Sequence, residues 1–242
     1  MDNFKIAMYT LEIAITYKCN FACSNCSTLV GVAPFDREMT IDEINAFLQD
    51  SADNKYPWDT ISLYGGEPTV HPKFEEICKT LYRYKMEVDN KLRLQVVSNG
   101  TNMPLLNKVI DTYDFGPMVS PKTGSNRDHA GNLMPYDRRA ESPVDIGREP
   151  TIGCWISGEC GIAYNYLGFW PCSAGGAAAR VFNFAPAARS TRDLTYEAIR
   201  ECHTRICTHC GMGQHDRVQR RTVDEIISPT WKKALDAYNA AR

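Results

Sequence analysis

The chain has 242 residues, 43% apolar, 23% charged and 10% aromatic, a composition that excludes disorder, collagen and coiled coil as its main description. A formal net charge of -2 gives no general field for steering onto nucleic acid or anionic lipid, so no nucleic-acid and no membrane partner is expected. No run approaches the roughly 18 uninterrupted apolar residues of a spanning helix, and Asp2 and Lys5 stand early with no apolar secretion signal, so a soluble, cytoplasmic protein is expected.

In chain order, Leu11 to Tyr17 (LEIAITY) predicts an apolar strand that delivers a polar, cysteine-bearing loop. Thr40 with Glu43 three residues on makes a capping-box pattern, and Ile41, Ile44, Phe47 and Leu48 keep helical spacing behind it. Asp59 to Tyr64 (DTISLY) predicts a second strand ending at Gly65-Gly66. Pro72 suits the first position of a second helix with Phe74, Ile77, Cys78 and Leu81 on one face, where Cys78 is expected to be a small core residue. Leu92 to Val97 predicts a third strand ending at Ser98-Asn99-Gly100.

This alternation implies a parallel sheet with right-handed crossovers, whose ligands gather beyond the carboxyl ends of the strands. The cysteine loop, the Gly65 to Pro68 loop and the Ser98 to Gly100 loop all follow strand ends and can meet at one mouth. Beyond about Gly116 the alternation fades, leaving short apolar pieces such as Phe115 to Val119, and Pro121 to Pro150 is rich in Gly, Pro, Asn, Arg and Asp. From Thr151 a cysteine-dense segment begins, followed by a helix near Thr195 to Cys202 and a terminal helix with Trp231, Ala234, Leu235 and Tyr238 on one face. A boundary near 150 is expected, dividing residues 1–150 from 151–242.

Ten cysteines in such a chain point to metal or redox chemistry rather than disulfides. Cys19, Cys23 and Cys26 follow the first strand as C-x3-C-x2-C. Three thiolates can hold three irons of a [4Fe-4S] cube and leave the fourth open, whereas a structural zinc site needs a fourth, remote ligand.

The C-x3-C-x2-C loop after the first strand, together with Gly65-Gly66-Glu67-Pro68 after the second, resembles the radical S-adenosylmethionine (SAM) superfamily over roughly residues 8 to 120. The resemblance implies an α/β fold, a partial (β/α)6 TIM-like barrel. It implies a catalytic [4Fe-4S] cluster on Cys19, Cys23 and Cys26, with SAM chelating the open iron. One electron would then cleave SAM to methionine and a 5′-deoxyadenosyl radical that abstracts a substrate hydrogen. By the same resemblance Gly65, Gly66 and Glu67 match the loop that binds the methionyl amine, and Pro68 shapes its turn. Ser98 and Asn99 stand where the family often places polar cofactor contacts, although Asn-Gly is also an ordinary turn. Asn25 departs from the pattern, since the residue before the third cysteine is commonly aromatic and packs near the adenine; Phe21 is the candidate to replace it. An external one-electron donor such as flavodoxin or ferredoxin is implied as a partner.

A second set comprises Cys154, Cys160, Cys172, Cys202, Cys207 and Cys210. Cys207 and Cys210 form a CxxC pair, and Cys172 ends a Tyr-Leu-Gly-Phe-Trp-Pro-Cys stretch that reads as a hairpin with its glycine at the bend. Cysteines flanking a hairpin plus a CxxC after a helix resemble the small cysteine-rich twitch/SPASM-like extension of radical SAM enzymes, which implies an auxiliary [4Fe-4S] cluster. The expected ligands are Cys154, Cys172, Cys207 and Cys210, with Cys160 or Cys202 as substitutes. A zinc-ribbon-like site remains the alternative, with His203, His209 and His215 nearby. Arg217, Arg220 and Arg221 could grip a phosphate or carboxylate but read more readily as a solvated face; Arg127, Asp128, His129, Arg138 and Arg139 border the expected mouth without a distinct role.

These readings predict a radical SAM oxidoreductase that removes hydrogen from a small polar substrate, a sugar, aminocyclitol or nucleotide-like molecule, with the auxiliary cluster accepting an electron or binding substrate. A maturase that epimerises or crosslinks a ribosomally made peptide is the alternative within the family, and a non-enzymatic zinc-binding module the alternative outside it.

Overall fold

A computed structural model describes residues 5–23, 26–30, 33, 37–120, 155–210 and 229–241. Strand β1 (Thr10–Thr16) leads to the cysteine loop, and helix α1 (Ile41–Asp53) starts from the expected capping box: Thr40 Oγ1 accepts the Glu43 N–H, and the Glu43 carboxylate accepts the Thr40 N–H. Strand β2 (Thr60–Gly65) passes through a short 3-10 turn (Pro68–Val70) into helix α2 (Phe74–Val88). Pro68 stands at the start of that turn, while Pro72 lies two residues before α2 rather than at its first position. Strand β3 (Arg93–Ser98), helix α3 (Met103–Tyr113) and strand β4 (Phe115–Val119) complete the alternation, with Asn102 capping α3 through its side chain.

The C-terminal part contributes a short helix α4 (Trp155–Glu159), strands β5 (Ile162–Asn165) and β6 (Gly168–Trp170), and helices α5 (Ser173–Phe182), α6 (Tyr196–Cys207) and α7 (Pro229–Ala240). The expected hairpin is β5–β6, with Tyr166 and Leu167 at the bend and Gly168 opening the second strand. All six strands form one sheet in the order β4-β3-β2-β1-β5-β6, parallel except for β5–β6. The fold is thus the mixed α/β architecture expected, with strands β1 to β4 wound successively in one direction as in a partial barrel. The boundary near 150 falls outside the described residues.

Side-chain alternation divides the packing. Leu11, Ile13 and Ile15 of β1 face a core with Ile44, Phe47, Ile77, Leu81 and Leu106 of α1, α2 and α3, and Cys78 is fully buried there, its thiol pushed up by burial. Ala14 of β1 and Ala163 of β5 turn to a second core built on Trp170, the alanines of α5, Ile206 of α6 and Trp231 of α7. Helix α5 (SAGGAAARVF) touches β1, β5, β6, α6 and α7, and its small side chains allow this approach from every side. Arg180 on α5 is 6% exposed; its guanidinium lies 4.1 Å from the Tyr17 ring, donates to Tyr238 Oη at 2.9 Å and to the Ala33 carbonyl at 3.3 Å.

Asp50 at the end of α1 ties the two parts together. Its carboxylate accepts from Ser190 Oγ (2.6 Å), the Thr191 N–H (2.7 Å) and Thr191 Oγ1 (2.8 Å), and these bonds hold its carboxyl below the usual carboxylate range against the opposing effect of burial. Asp50→Ala removes the acceptor for these three donors and for Asn54 Nδ2 (3.1 Å), and is expected to lower unfolding free energy by about 1–3 kcal/mol, read as a shift of the urea midpoint.

Candidate functional site

The site grows from the carboxyl end of β1. There β1 is flanked by β2 on one side and β5 on the other, both parallel to it, so the chain connections part and leave a crevice above the strand end. The register with β2 slips between Ala14 and Thr16, a bulge that bends the strand as it enters the cysteine loop. The bend turns two carbonyls toward the second strand's loop: Gly66 N–H donates to Thr16 O at 2.8 Å and Glu67 N–H to Lys18 O at 2.9 Å.

This close approach explains both glycines. Gly65 has φ +137°, and a Cβ on it would stand 2.1 Å from Thr16 O; a Cβ on Gly66 would stand 2.2 Å from Lys18 O. No side chain fits at either position.

Glu67 is fully buried and its carboxylate is occupied by the protein's own donors. Oε1 accepts from the Thr69 N–H (3.1 Å), Thr69 Oγ1 (2.7 Å) and Ser98 Oγ (2.9 Å), and Oε2 accepts from the Asn99 N–H (2.7 Å). One carboxylate therefore fixes both the turn beginning at Pro68 and the loop after β3. Asn99 Oδ1 in turn accepts from Thr101 N–H and Oγ1, and its Nδ2 donates to Asn20 Oδ1 at 2.9 Å, while Asn20 Nδ2 donates to Thr101 Oγ1 at 2.7 Å. The loops after β1, β2 and β3 are thus one hydrogen-bonded unit.

Cys19, Cys23 and Cys26 are half-buried and line one cleft with Phe21, Tyr64, Gly65, Gly66, Ser98 and Asn99. Cys19 Sγ accepts the Phe21 N–H at 3.4 Å and has Asn99 Nδ2 at 3.8 Å; Cys26 Sγ lies 3.1 Å from Thr28 Oγ1. Burial raises the Cys19 thiol first, the Phe21 N–H opposes this, and the neighbouring Cys26, Glu67 and Cys23 add to the rise. Among the described residues no three His, Cys, Asp or Glu side chains converge on a single ion-sized point. An iron–sulfur cube engages each thiol through a different iron, so the donor set it needs is three thiols around one cleft, with N–H donors at sulfur. Cys19, Cys23 and Cys26 have that chemistry.

In the C-terminal part Cys172 caps α5, its Sγ accepting the Gly175 N–H at 3.2 Å. A Cβ on Gly175 would lie 3.4 Å from that Sγ and 3.3 Å from Ile206 Cγ2, so the Cys172 thiol sits beside the end of α6, where Cys207 is the last residue. Cys207 and Cys210 are each 9% exposed, and Cys160, Cys172, Cys202 and Cys210 border the same apolar core. Cys202 is fully buried within α6, which pushes its thiol up. His209, inside the CxxC, has its ring centroid 4.6 Å from that of Phe182, and its carbonyl accepts Trp231 Nε1–H at 2.7 Å. His203 is buried on α6. Asn25, Cys154, His215, Arg127, Asp128, His129, Arg138, Arg139, Arg217, Arg220 and Arg221 lie outside the described residues.

Several residues of the site carry no motif. Asn20 and Thr101 clamp the loops, Tyr64 lines the cleft with its Oη 2.6 Å from Ser27 Oγ, and Glu12 sits buried on the inner face of β1. Only Glu12 left a trace in the sequence, as the one charge inside an apolar strand.

The chain belongs to the radical SAM superfamily, whose sequence profile matches residues 13–142. Family membership implies SAM and a [4Fe-4S] cluster as cofactors. Among its relatives are the GTP 3′,8-cyclase of Helicobacter pylori strain 26695, 28% identical over 91 residues (37% of this chain, 28% of that protein), and the S-adenosylmethionine-dependent nucleotide dehydratase of Selenomonas ruminantium, 30% identical over 125 residues (48% and 41%). The chain spans less than half the length of these curated relatives. In fold it is similar to the crystal structure of BtrN in complex with AdoMet and 2-DOIA, with a TM-score of 0.57 and 14% identity, covering 92% of this chain and 97% of that one. It is likewise similar to BtrN in an open conformation, with a TM-score of 0.52 and 15% identity over 86% and 89% of the two chains. Among the described residues no helix is long and apolar enough to cross a membrane.

Two measurements check this account of the loops. Glu67→Gln places an amide N–H2 against donors that now meet a carboxylate, and is expected to cost on the order of 2–3 kcal/mol by urea unfolding and to lower iron uptake on reconstitution. His71 is buried in the loop before α2; its Nδ1 accepts the Lys73 N–H at 3.0 Å, and its Nε2 lies 3.0 Å from the Met39 carbonyl, so the neutral Nε2–H form fits. Burial holds this histidine below its ordinary 6.5, opposed by the Met39 carbonyl and Glu38, so its contribution is present above about pH 6.5 and is lost as pH falls through that value. The stability difference between wild type and His71→Ala is expected to shrink between about pH 7.5 and pH 5.

Proposed function

We propose that this radical SAM enzyme catalyses hydrogen abstraction from a small polar substrate, most simply a net dehydrogenation. The single observation that carries the reading is the placement of Cys19, Cys23 and Cys26 around one cleft that Gly65 and Gly66 also line. When bound there, the cluster and SAM supply a 5′-deoxyadenosyl radical from one external electron. The chain's own residues have three tasks. The cysteine thiols hold three irons, with the Phe21 N–H and the Asn99 amide directed at the Cys19 sulfur. Gly65 and Gly66 keep their part of the cleft lining free of side chains, so backbone carbonyls there can meet a methionyl amine. Phe21, half-buried in the cleft wall, takes the place of an aromatic at position 25 as a surface for the adenine.

Cys172, Cys207 and Cys210 are the proposed protein ligands of an auxiliary [4Fe-4S] cluster, with Cys154 as the fourth. Their support is the closeness of the Cys172 thiol to the end of α6 and the apolar, aromatic surroundings formed by Phe182, Trp231 and Ile206. Under this reading residues 151–242 form the twitch/SPASM-like extension, and a flavodoxin- or ferredoxin-type protein donates the electron. The relatives act, by their names, on nucleotides, which keeps a nucleotide-like substrate within the class.

Anaerobic purification and reconstitution test both sites. About eight irons with matching sulfide are expected per chain, falling to about four in a Cys19→Ala/Cys23→Ala/Cys26→Ala variant and to about four in a Cys172→Ala/Cys207→Ala/Cys210→Ala variant. Only the first variant is expected to abolish 5′-deoxyadenosine formation from SAM and dithionite. Retained cleavage in that variant would sink the catalytic assignment; a full iron complement in the second would sink the auxiliary one.

A further inference from the structure

Asn99 stands where a polar contact to the cofactor is expected, yet its side chain has no hydrogen-bonding capacity left for one. Its Oδ1 accepts from the Thr101 N–H at 3.0 Å and from Thr101 Oγ1 at 2.7 Å, which fills both lone pairs. A backbone N–H can only donate, so this contact fixes which end of the amide is oxygen and turns the N–H2 toward the cysteine loop. One hydrogen of Nδ2 goes to Asn20 Oδ1 at 2.9 Å, and Cys19 Sγ lies 3.8 Å from the same nitrogen. An amide N–H2 has two hydrogens, and these are its two acceptors.

Asn20 and Thr101 close the arrangement into a ring. Asn20 Nδ2 donates to Thr101 Oγ1 at 2.7 Å, Thr101 Oγ1 donates to Asn99 Oδ1, and Asn99 Nδ2 donates back to Asn20 Oδ1. Within the ring every member gives one bond and takes one, so each polarises the next and the three side chains are oriented together. Asn20 and Thr101 are exposed, so hydrogen bonds rather than apolar packing give the ring its shape. Its Asn99 corner is anchored by the main chain, whose N–H donates to Glu67 Oε2 at 2.7 Å. Asn20 Oδ1 also lies 3.8 Å from Cys19 Sγ, where the S–H of a free thiol reaches it. A thiolate on iron has no such proton, and a bare carbonyl dipole beside it would repel its charge. In the ring that carbonyl is already taken by the Asn99 N–H.

N–H donors at the cysteine sulfurs of an iron–sulfur cluster favour its more negative, reduced state and so raise its reduction potential. The Phe21 N–H, 3.4 Å from Cys19 Sγ, is one such donor and belongs to the main chain. The Asn99 amide is a second, and its direction depends on side chains from two different loops. We propose that the ring of Asn20, Asn99 and Thr101 sets the reduction potential of the cluster on Cys19, Cys23 and Cys26. Asn99 is the donor to the Cys19 sulfur, Asn20 and Thr101 are positioning residues that hold its amide there, and the Asn99 side chain serves the cluster rather than SAM. This rests on the reading of the three thiols as cluster ligands and adds what tunes that cluster.

Redox titration of the reconstituted full chain, followed by electron paramagnetic resonance without SAM, tests the proposal; the signal that later addition of SAM alters identifies the cluster concerned. Asn99→Ala is expected to shift its reduction equilibrium about tenfold toward the oxidised state, a potential lower by about 59 mV for one electron. SAM affinity, measured by calorimetry on the same variant, is expected to stay within about threefold of wild type. Thr101→Val loses the hydroxyl and keeps the backbone N–H; it is expected to move the equilibrium the same way by about threefold or more, and Thr101→Ser to restore it. An unchanged or raised potential in Asn99→Ala overturns the proposal, and so does a SAM affinity weakened beyond that range, which would make the amide a cofactor contact. Should Asn99→Ala fail to take up iron, the threonine pair carries the test, and equal potentials in Thr101→Val and wild type overturn it. A wild-type chain with no SAM-responsive signal sinks the enzyme class itself, whereas such a signal at one potential in wild type and all three variants sinks only the role of the ring.

Discussion

Two backbone hydrogen bonds, Gly66 N–H to Thr16 O and Glu67 N–H to Lys18 O, join the loop after β2 to the entry of the cysteine loop, and the rest of the site is arranged around them. They exist because the bulge at the end of β1 frees those carbonyls and because positions 65 and 66 carry no side chain to block the approach. Once made, they bury Glu67, and a buried carboxylate must gather donors. It finds them in Thr69, Ser98 and Asn99, which brings in the loop after β3. Chain geometry, burial and hydrogen bonding thus act in sequence, and the three thiols share a cleft whose remaining lining is fixed.

The C-terminal half joins this arrangement through small residues. Nine of the ten residues of α5 are buried, which is possible only because the run from Ser173 to Ala179 offers so little volume. That lets Cys172 sit at the helix start beside Ile206, and it lets Ser173 reach the inner face of β1. Arg180, further along the same helix, holds Tyr17, Ala33 and Tyr238 together, so the strand end, the cysteine loop and the last helix share one buried cation.

Sequence signals are legible where the physics is local. The Thr40–Glu43 box, the strand pattern of residues 11–17 and the apolar spacing of α2 are each decided by neighbours within four positions, and each stands in the structure. The cysteine spacing and the Gly65-Gly66-Glu67-Pro68 loop announced the superfamily for a similar reason, since both are short. Helix α5 left no apolar periodicity to read, because its packing relies on alanine and glycine on all faces. Helix α3 leaves no clear start signal, because its cap, Asn102, directly follows an Asn-Gly turn that masks it. The sequence pattern puts the hairpin glycine at the bend, yet Gly168 opens β6, where its φ of +136° and the Ala188 carbonyl leave no room for a side chain. The role of the Glu67 carboxylate, the Asn20–Thr101 clamp and the position of Glu12 depend on contacts between strands remote in sequence, and no spacing rule encodes those.

The attachment of β5 to β1 has an evolutionary corollary. In many enzymes an accessory unit is a bead on a string, gained or traded by recombination with little disturbance to its host. Here the C-terminal part supplies the neighbour of the very strand that delivers the thiols, through the pairs Leu11–Ile162, Glu12–Ala163 and Ile13–Tyr164. Removing it would strip one edge of β1 and leave its backbone donors and acceptors open to adventitious pairing. The C-terminal part is therefore no detachable unit within this sheet, and a substitution in β5 bears directly on the strand that delivers the thiols.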